Sequence, residues 1–170
     1  DTTFGEPLSH TRLYQILQQI REVEASGFHY RSVVSMLMAP GCDLSLGWEA
    51  GRLRQAAWSL SREIVLREKV TSGIDALVNA AKGRQERLRA ESESRLRRID
   101  FDYGDVIEAL NAMGNALAPV TQLSSGRHPI ETLARAVNQA LSVVASSTID
   151  RPAEPAETAF LSLLLQLSRQ

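Results

Sequence analysis

Between Ser72 and Ile99 the apolar residues keep a single helical phase, and this constrains the chain more than any other feature. At about 100° per residue, Ile74, Leu77, Val78, Ala81, Leu88, Leu96 and Ile99 fall within one arc, with only Gln85 and Ser92 intruding. A helix of roughly 28 residues is a rod of about 42 Å. In so short a chain, such a rod projects beyond its neighbours or packs along a helix of equal length. No segment alternates with the period of a strand, and no Asn-Gly or Asp-Gly marks a hairpin. The expected fold is therefore all-α, a six- or seven-helix bundle with one long amphipathic helix at about 72–99 and a short apolar C-terminal helix.

The remaining segments support that class. From Ser9, a plausible N-cap, Leu13, Ile16, Leu17, Ile20 and Val23 recur at helical spacing up to Gly27. A shorter stretch, Tyr30 to Met38, stops at Ala39-Pro40-Gly41, and Cys42 to Gly47 reads as a loop. From Trp48 to about Val70, Leu53, Ala56, Ala57, Leu60 and Ile64 share one face. Trp58 and Val65, seven residues apart, fall on nearly the opposite side. A helix with two apolar stripes is either central to the bundle or gives one stripe to a partner.

Asp102 or Asp105 caps the next helix, in which Val106, Leu110, Met113 and Leu117 run until Pro119 ends or kinks it. Ala109, Ala112 and Ala116 line an adjoining strip that lets another helix come close. His128-Pro129-Ile130-Glu131 starts a helix that continues to about Ala145. The organisation is then a lead-in over 1–7, a helical bundle over 8–146, a Pro-containing linker over 147–155 and an apolar helix over 156–170.

Composition narrows the functional classes. The 170 residues carry 19 Lys plus Arg against 20 Asp plus Glu, a net charge of −1, so neither a globally basic binder nor a polyacidic tail is expected. Seventeen of the 19 cations are arginine, a bias that fits bidentate recognition of carboxylate or phosphate and equally a GC-rich genome. The lone Cys42 forms no internal disulfide, which points to a reducing, cytoplasmic or otherwise intracellular setting. The longest apolar run, Ala159 to Leu167, falls well short of the roughly 20 residues of a membrane span. The chain begins with Asp1, as a processed or excised piece would, or a chain from which the initiator has been left out.

No catalytic, dinucleotide or Walker-type motif is present, and no catalytic residue is assigned. His10, His29 and His128 lack ligand partners at helical spacing, so no metal and no cofactor is expected. Three features remain. Residues 82–98 hold seven cations and three anions, and Arg84, Arg87, Arg95 and Arg98 gather on one flank of the apolar face. Such a row could grip phosphates, yet Glu91 with Arg95 and Glu93 with Arg97 are i,i+4 pairs that suit a solvated, salt-bridged surface. The spacing of Pro152 and Pro155 matches a polyproline ligand and is also common at helix boundaries. Finally, Phe160, Leu161, Leu163, Leu164, Leu165 and Leu167 cover most of the last helix, which must fold back on the bundle or dock elsewhere.

The expectation is a non-catalytic helical module for protein–protein interaction or assembly, self-associating into a homo-oligomer or docking a protein partner. Its partner-binding residues would be Trp58, Val65, Arg84, Arg87, Arg95, Arg98, Phe160, Leu161, Leu164 and Leu165. The alternative is a nucleic-acid-associated, packaging or nucleocapsid-like protein that sets the arginine row on phosphates.

Overall fold

The computed structural model describes residues 10–95, 103–123, 126–152 and 154–169, with residues 50 and 92–95 described by backbone alone. Among them there is no strand, and eight helices form the bundle, one or two more than the sequence suggests. They are α1 (Arg12–Ala25), α2 (Tyr30–Leu37), α3 (50–68), α4 (Ile74–Arg95), α5 (Gly104–Thr121), α6 (Ile130–Val144), α7 (Ser146–Asp150) and α8 (Pro155–Ser168).

The central element is α5, which packs against α1, α3, α4 and α6. It has this place because its apolar residues occupy more than one face. Val106, Leu110, Met113 and Leu117 form one row, and the small Ala109 and Ala116 beside them are buried too, so neighbouring helices approach closely. Pro119 does not end this helix. It stands in the last turn, so it withholds a helical donor from a single carbonyl, that of Asn115, and the helix continues to Thr121, with the Gln122 N–H donating to the Ala118 carbonyl at 3.0 Å.

Helix α3 holds the main departure from regular periodicity. It is α-helical over Ala50–Ser59, widens to a π-helix over Leu60–Val65 and closes as α-helix over Leu66–Glu68. A π turn accommodates one extra residue. Everything after it is rotated as though the numbering had slipped by one. The stripe expected from Trp58 and Val65 is therefore corrected: Val65 turns inward beside Ile64 and is 5% exposed. Leu66 takes the outward position instead, at 67% exposure, in line with Trp58 at 56%. The bulge adds Val65 to the core and keeps Arg67 in solvent.

The long helix starts at Ile74, and its described span ends at Arg95. Leu77, Val78, Ala81 and Leu88 are buried, while Arg89, Ala90 and Glu91 are exposed. The expected core residues Leu96 and Ile99 lie outside the described residues, as does Ser9. The cap of α1 is Thr11, whose hydroxyl accepts the Tyr14 N–H at 3.3 Å. His29 caps α2 through Nδ1, a role its position before an apolar run did not announce. The two interhelical turns on this side are tied together, since the Gly73 N–H donates to the Gly27 carbonyl and the Tyr30 N–H to that of Thr71.

The segment 147–155 includes much of the five-residue helix α7, whose Thr148 is buried. After it, α8 turns back along α6 and packs on it. The direction follows from two contacts. The Leu13 N–H at the start of α1 donates to Glu157 Oε1 at 3.1 Å, and Gly41 lies beside both Ile16 of α1 and Thr148 of α7. The beginning of α8 is thus at the same end of the bundle as the end of α6, and the two helices run antiparallel. Pro155 stands at the first helical turn of α8, where its missing N–H is no loss.

Candidate functional site

Two places on the surface combine exposure with chemistry: a cleft between the α2–α3 loop and α7, and the outward apolar faces of α3 and α8.

The cleft has a volume of about 630 Å³ and is lined by Gly41 to Asp43, Ser45, Gly47 to Glu49, Leu53, Ser146 and Ser147. Its wall is built by a loop that reaches more than a hundred residues along the chain. The N–H groups of Asp43 and Leu44 both donate to the Val144 carbonyl, at 2.9 and 3.2 Å, closing the last turn of α6. Ser45 Oγ donates to the Val143 carbonyl. In return, Asp43 Oδ1 accepts from Ser146 N and Oγ at 3.2 and 3.0 Å, and Oδ2 accepts from Ser147 N at 2.7 Å. A carboxylate thus caps the N-terminus of α7 from a distant loop, where a negative charge also suits the helix dipole.

This arrangement forces unusual backbone. Leu44 and Ser45 both lie in the left-handed region, at φ of 52° and 51°, a conformation that disfavours side chains. It is held by burial of the Leu44 side chain and by the Ser45 N–H, which donates to Asp43 Oδ1 at 2.9 Å. Gly41, at φ 85°, has to be glycine because a Cβ there would stand 2.6 Å from Thr148 Oγ1.

The electrostatics follow from these bonds. Burial raises the Asp43 pKa, but the hydrogen bonds from Ser147, Ser45 and Ser146 outweigh it and hold the carboxyl below its ordinary value. Cys42 goes the other way. Burial, reinforced by the neighbouring Asp43 charge, pushes its thiol up to about 12. A nucleophilic cysteine has to be a thiolate, so Cys42 is chemically quiet. Its alkylation by iodoacetamide at pH 8 is expected to be at least about a hundredfold slower in the folded chain than in denaturant, given an ordinary thiol pKa near 8.5. Rates within tenfold of each other would show that the thiol is not held neutral.

Beyond the cleft, Trp48 carries the Arg52 guanidinium 4.4 Å from its ring centroid. The same guanidinium makes two hydrogen bonds of 2.8 Å to Asp105 at the start of α5. This holds the Asp105 carboxyl below its usual value, through the Arg52 hydrogen bonds first. The pair fastens α3 to α5. Asp105 therefore acts in the first turn of α5 as an ion-pair partner, while the N-cap position belongs to Tyr103. Among the described residues no group of three or more His, Cys, Asp or Glu is placed to hold a metal, and no helix is long and apolar enough to cross a membrane.

The expected partner-binding residues separate into three sets. Arg87 pairs with Glu68 at the end of α3, and Arg84 is half-buried, with its Nε buried and without a hydrogen-bond acceptor. The Arg95 side chain and all of Arg98 lie outside the described residues. On α8, Leu161 and Leu164 face α6 and are buried, so they belong to the core and not to a free surface. Phe160 is half-buried against the same core, whereas Leu165 is exposed, as is Leu163. On α3, Val65 is internal and Trp58 is exposed, with Leu66 the residue the sequence reading missed. Ile130 and Leu133, exposed at the start of α6, add to the apolar surface at the end of the bundle that α8 approaches last.

Comparison with protein-family models, with curated proteins and with solved structures finds no match.

Proposed function

We propose that this chain is a non-catalytic helical assembly module that self-associates through outward apolar helix faces, principally that of α3. The observation that supports this reading is the alignment of Trp58 and Leu66, 56% and 67% exposed, on the side of α3 opposite its buried stripe. A single exposed leucine needs no explanation, but a large aromatic and a leucine in register on one rigid helix resemble the anchors of an interface. Arg62, exposed one helical turn from Trp58, adds a second residue type that, like Trp, is enriched at interface hot spots. Leu163 and Leu165, exposed on opposite flanks of the buried row of α8, add apolar surface there. The phosphate-binding alternative has less support, because Arg87 is committed to Glu68.

The test is the mass in solution by light scattering. At about 100 µM the wild-type chain is expected to exceed the monomer mass, and a Trp58→Ser/Leu66→Ser variant to return to it. Both residues are exposed, so stability should change by less than about 0.5 kcal/mol each. A wild-type monomer at that concentration, or an oligomer untouched by the double substitution, sinks the proposal.

A further inference from the structure

We propose that the cleft between the α2–α3 loop and α7 binds a small organic cation: a guanidinium or primary ammonium on a short apolar stem. Its volume of about 630 Å³ lies within the range of ordinary ligand pockets, about 300–1,000 Å³. Sorting its lining groups by whether they are already bonded identifies what they can recognise. The hydroxyls of Ser45 and Ser146 donate to Val143 and Asp43, and both Asp43 oxygens accept internal donors. These groups are spent on the fold. Glu49 is the ionisable wall residue left over: its side chain is exposed and makes no cap to α3, although it stands at the N-cap position. Beside it are the Trp48 indole, the Leu53 side chain and the uncharged Cys42 thiol, surfaces that suit a hydrocarbon stem.

The charge on the wall decides the sign of the ligand. Asp43 and Glu49 together carry two negative charges, and no Lys or Arg lines the cleft. The N-termini of α3 and α7 oppose this with roughly half a positive charge each at most, so a net negative charge remains. Trp48 already holds one guanidinium, that of Arg52, which indicates that the ring is a serviceable cation platform. Arg52 itself is neutralised by Asp105 and does not reverse the sign.

The probe is agmatine, a guanidinium and an ammonium on a four-carbon stem, titrated into the full chain while Trp48 fluorescence is followed in a Trp58→Phe background. A saturable change is expected, with backbone amide shifts confined to 41–49 and 146–147. Butylurea, neutral but of similar shape, and butyrate, an anion, are expected to bind at least tenfold more weakly. Glu49→Gln should weaken agmatine at least threefold, and Glu49→Lys should abolish binding with the far-ultraviolet spectrum unchanged. The proposal is overturned by an unsaturable response, by equal binding of butylurea, or by agmatine affinity that ignores both Glu49 substitutions. Tenfold tighter binding of a capped arginine peptide than of agmatine would overturn the free ligand in favour of a protein side chain.

Discussion

Glu157→Ala is expected to lower the unfolding free energy by about 2–4 kcal/mol, the sum of two hydrogen bonds to a charged acceptor and the exposure of an unpaired buried donor. The side chain is 1% exposed although it is a glutamate in a leucine-rich helix. One oxygen accepts the Leu13 N–H, an orphan donor in the first turn of α1, and the other accepts the Glu154 N–H at 3.3 Å at the start of α8. One carboxylate therefore closes two helix N-termini, and removing it leaves both open where water has poor access. For a chain of this length the melting temperature should fall by roughly 4–15 °C. Glu157→Gln keeps the shape and one of the two acceptor oxygens, and should cost about half as much. Urea unfolding followed by circular dichroism measures both. An alanine variant within about 0.5 kcal/mol of wild type would mean that α8 is not held by this contact.

The second large effect belongs to Asp43. Asp43→Ala removes the carboxylate that accepts from Ser45, Ser146 and Ser147, and should destabilise the chain by about 2–3 kcal/mol while loosening the cleft wall. Its charge makes the effect pH-dependent, and the sign is determined by the direction of its pKa. The folded carboxyl titrates below its ordinary value. Its stabilisation is then complete above the unfolded pKa, near 3.9, and is lost as the pH falls through the lower folded value. The stability gap between wild type and Asp43→Asn should be largest at neutral pH and should shrink below about pH 4. A gap that is the same at pH 3 and pH 7 would show that hydrogen-bonding shape, and not charge, holds the corner.

Both residues illustrate what could not be read from the chain alone. Asp43 is an ordinary loop aspartate in sequence, and its partners Ser146 and Ser147 stand more than a hundred residues away, where the bundle passes into a segment that reads as linker. Glu157 looks like a first-turn acid of its own helix, which it is, but its second acceptor role depends on where α1 begins in space. Local rules describe bonds within a turn. They are silent on bonds that close only after the helices have packed.

The helices themselves were a different matter. Periodicity places α1, α2, α5, α6 and α8 within a few residues of their observed ends, because the apolar rows that each buries are written at helical, 3.6-residue spacing. It failed at α3 for a definite reason. A constant rotation per residue does not hold across the π turn over Leu60–Val65. The slip of one position exchanged Val65 for Leu66 on the outer face.

The division for this protein follows from the range of the forces involved. The all-α class, the order of the elements and the buried rows of each helix come from near-neighbour stereochemistry and hydrophobic spacing, and these need no knowledge of the fold. Three things appear only once the helices meet: the central place of α5, the return of α8 along α6, and the cleft held open by Asp43. Each depends on groups that are distant in the chain and become neighbours only when the core has formed.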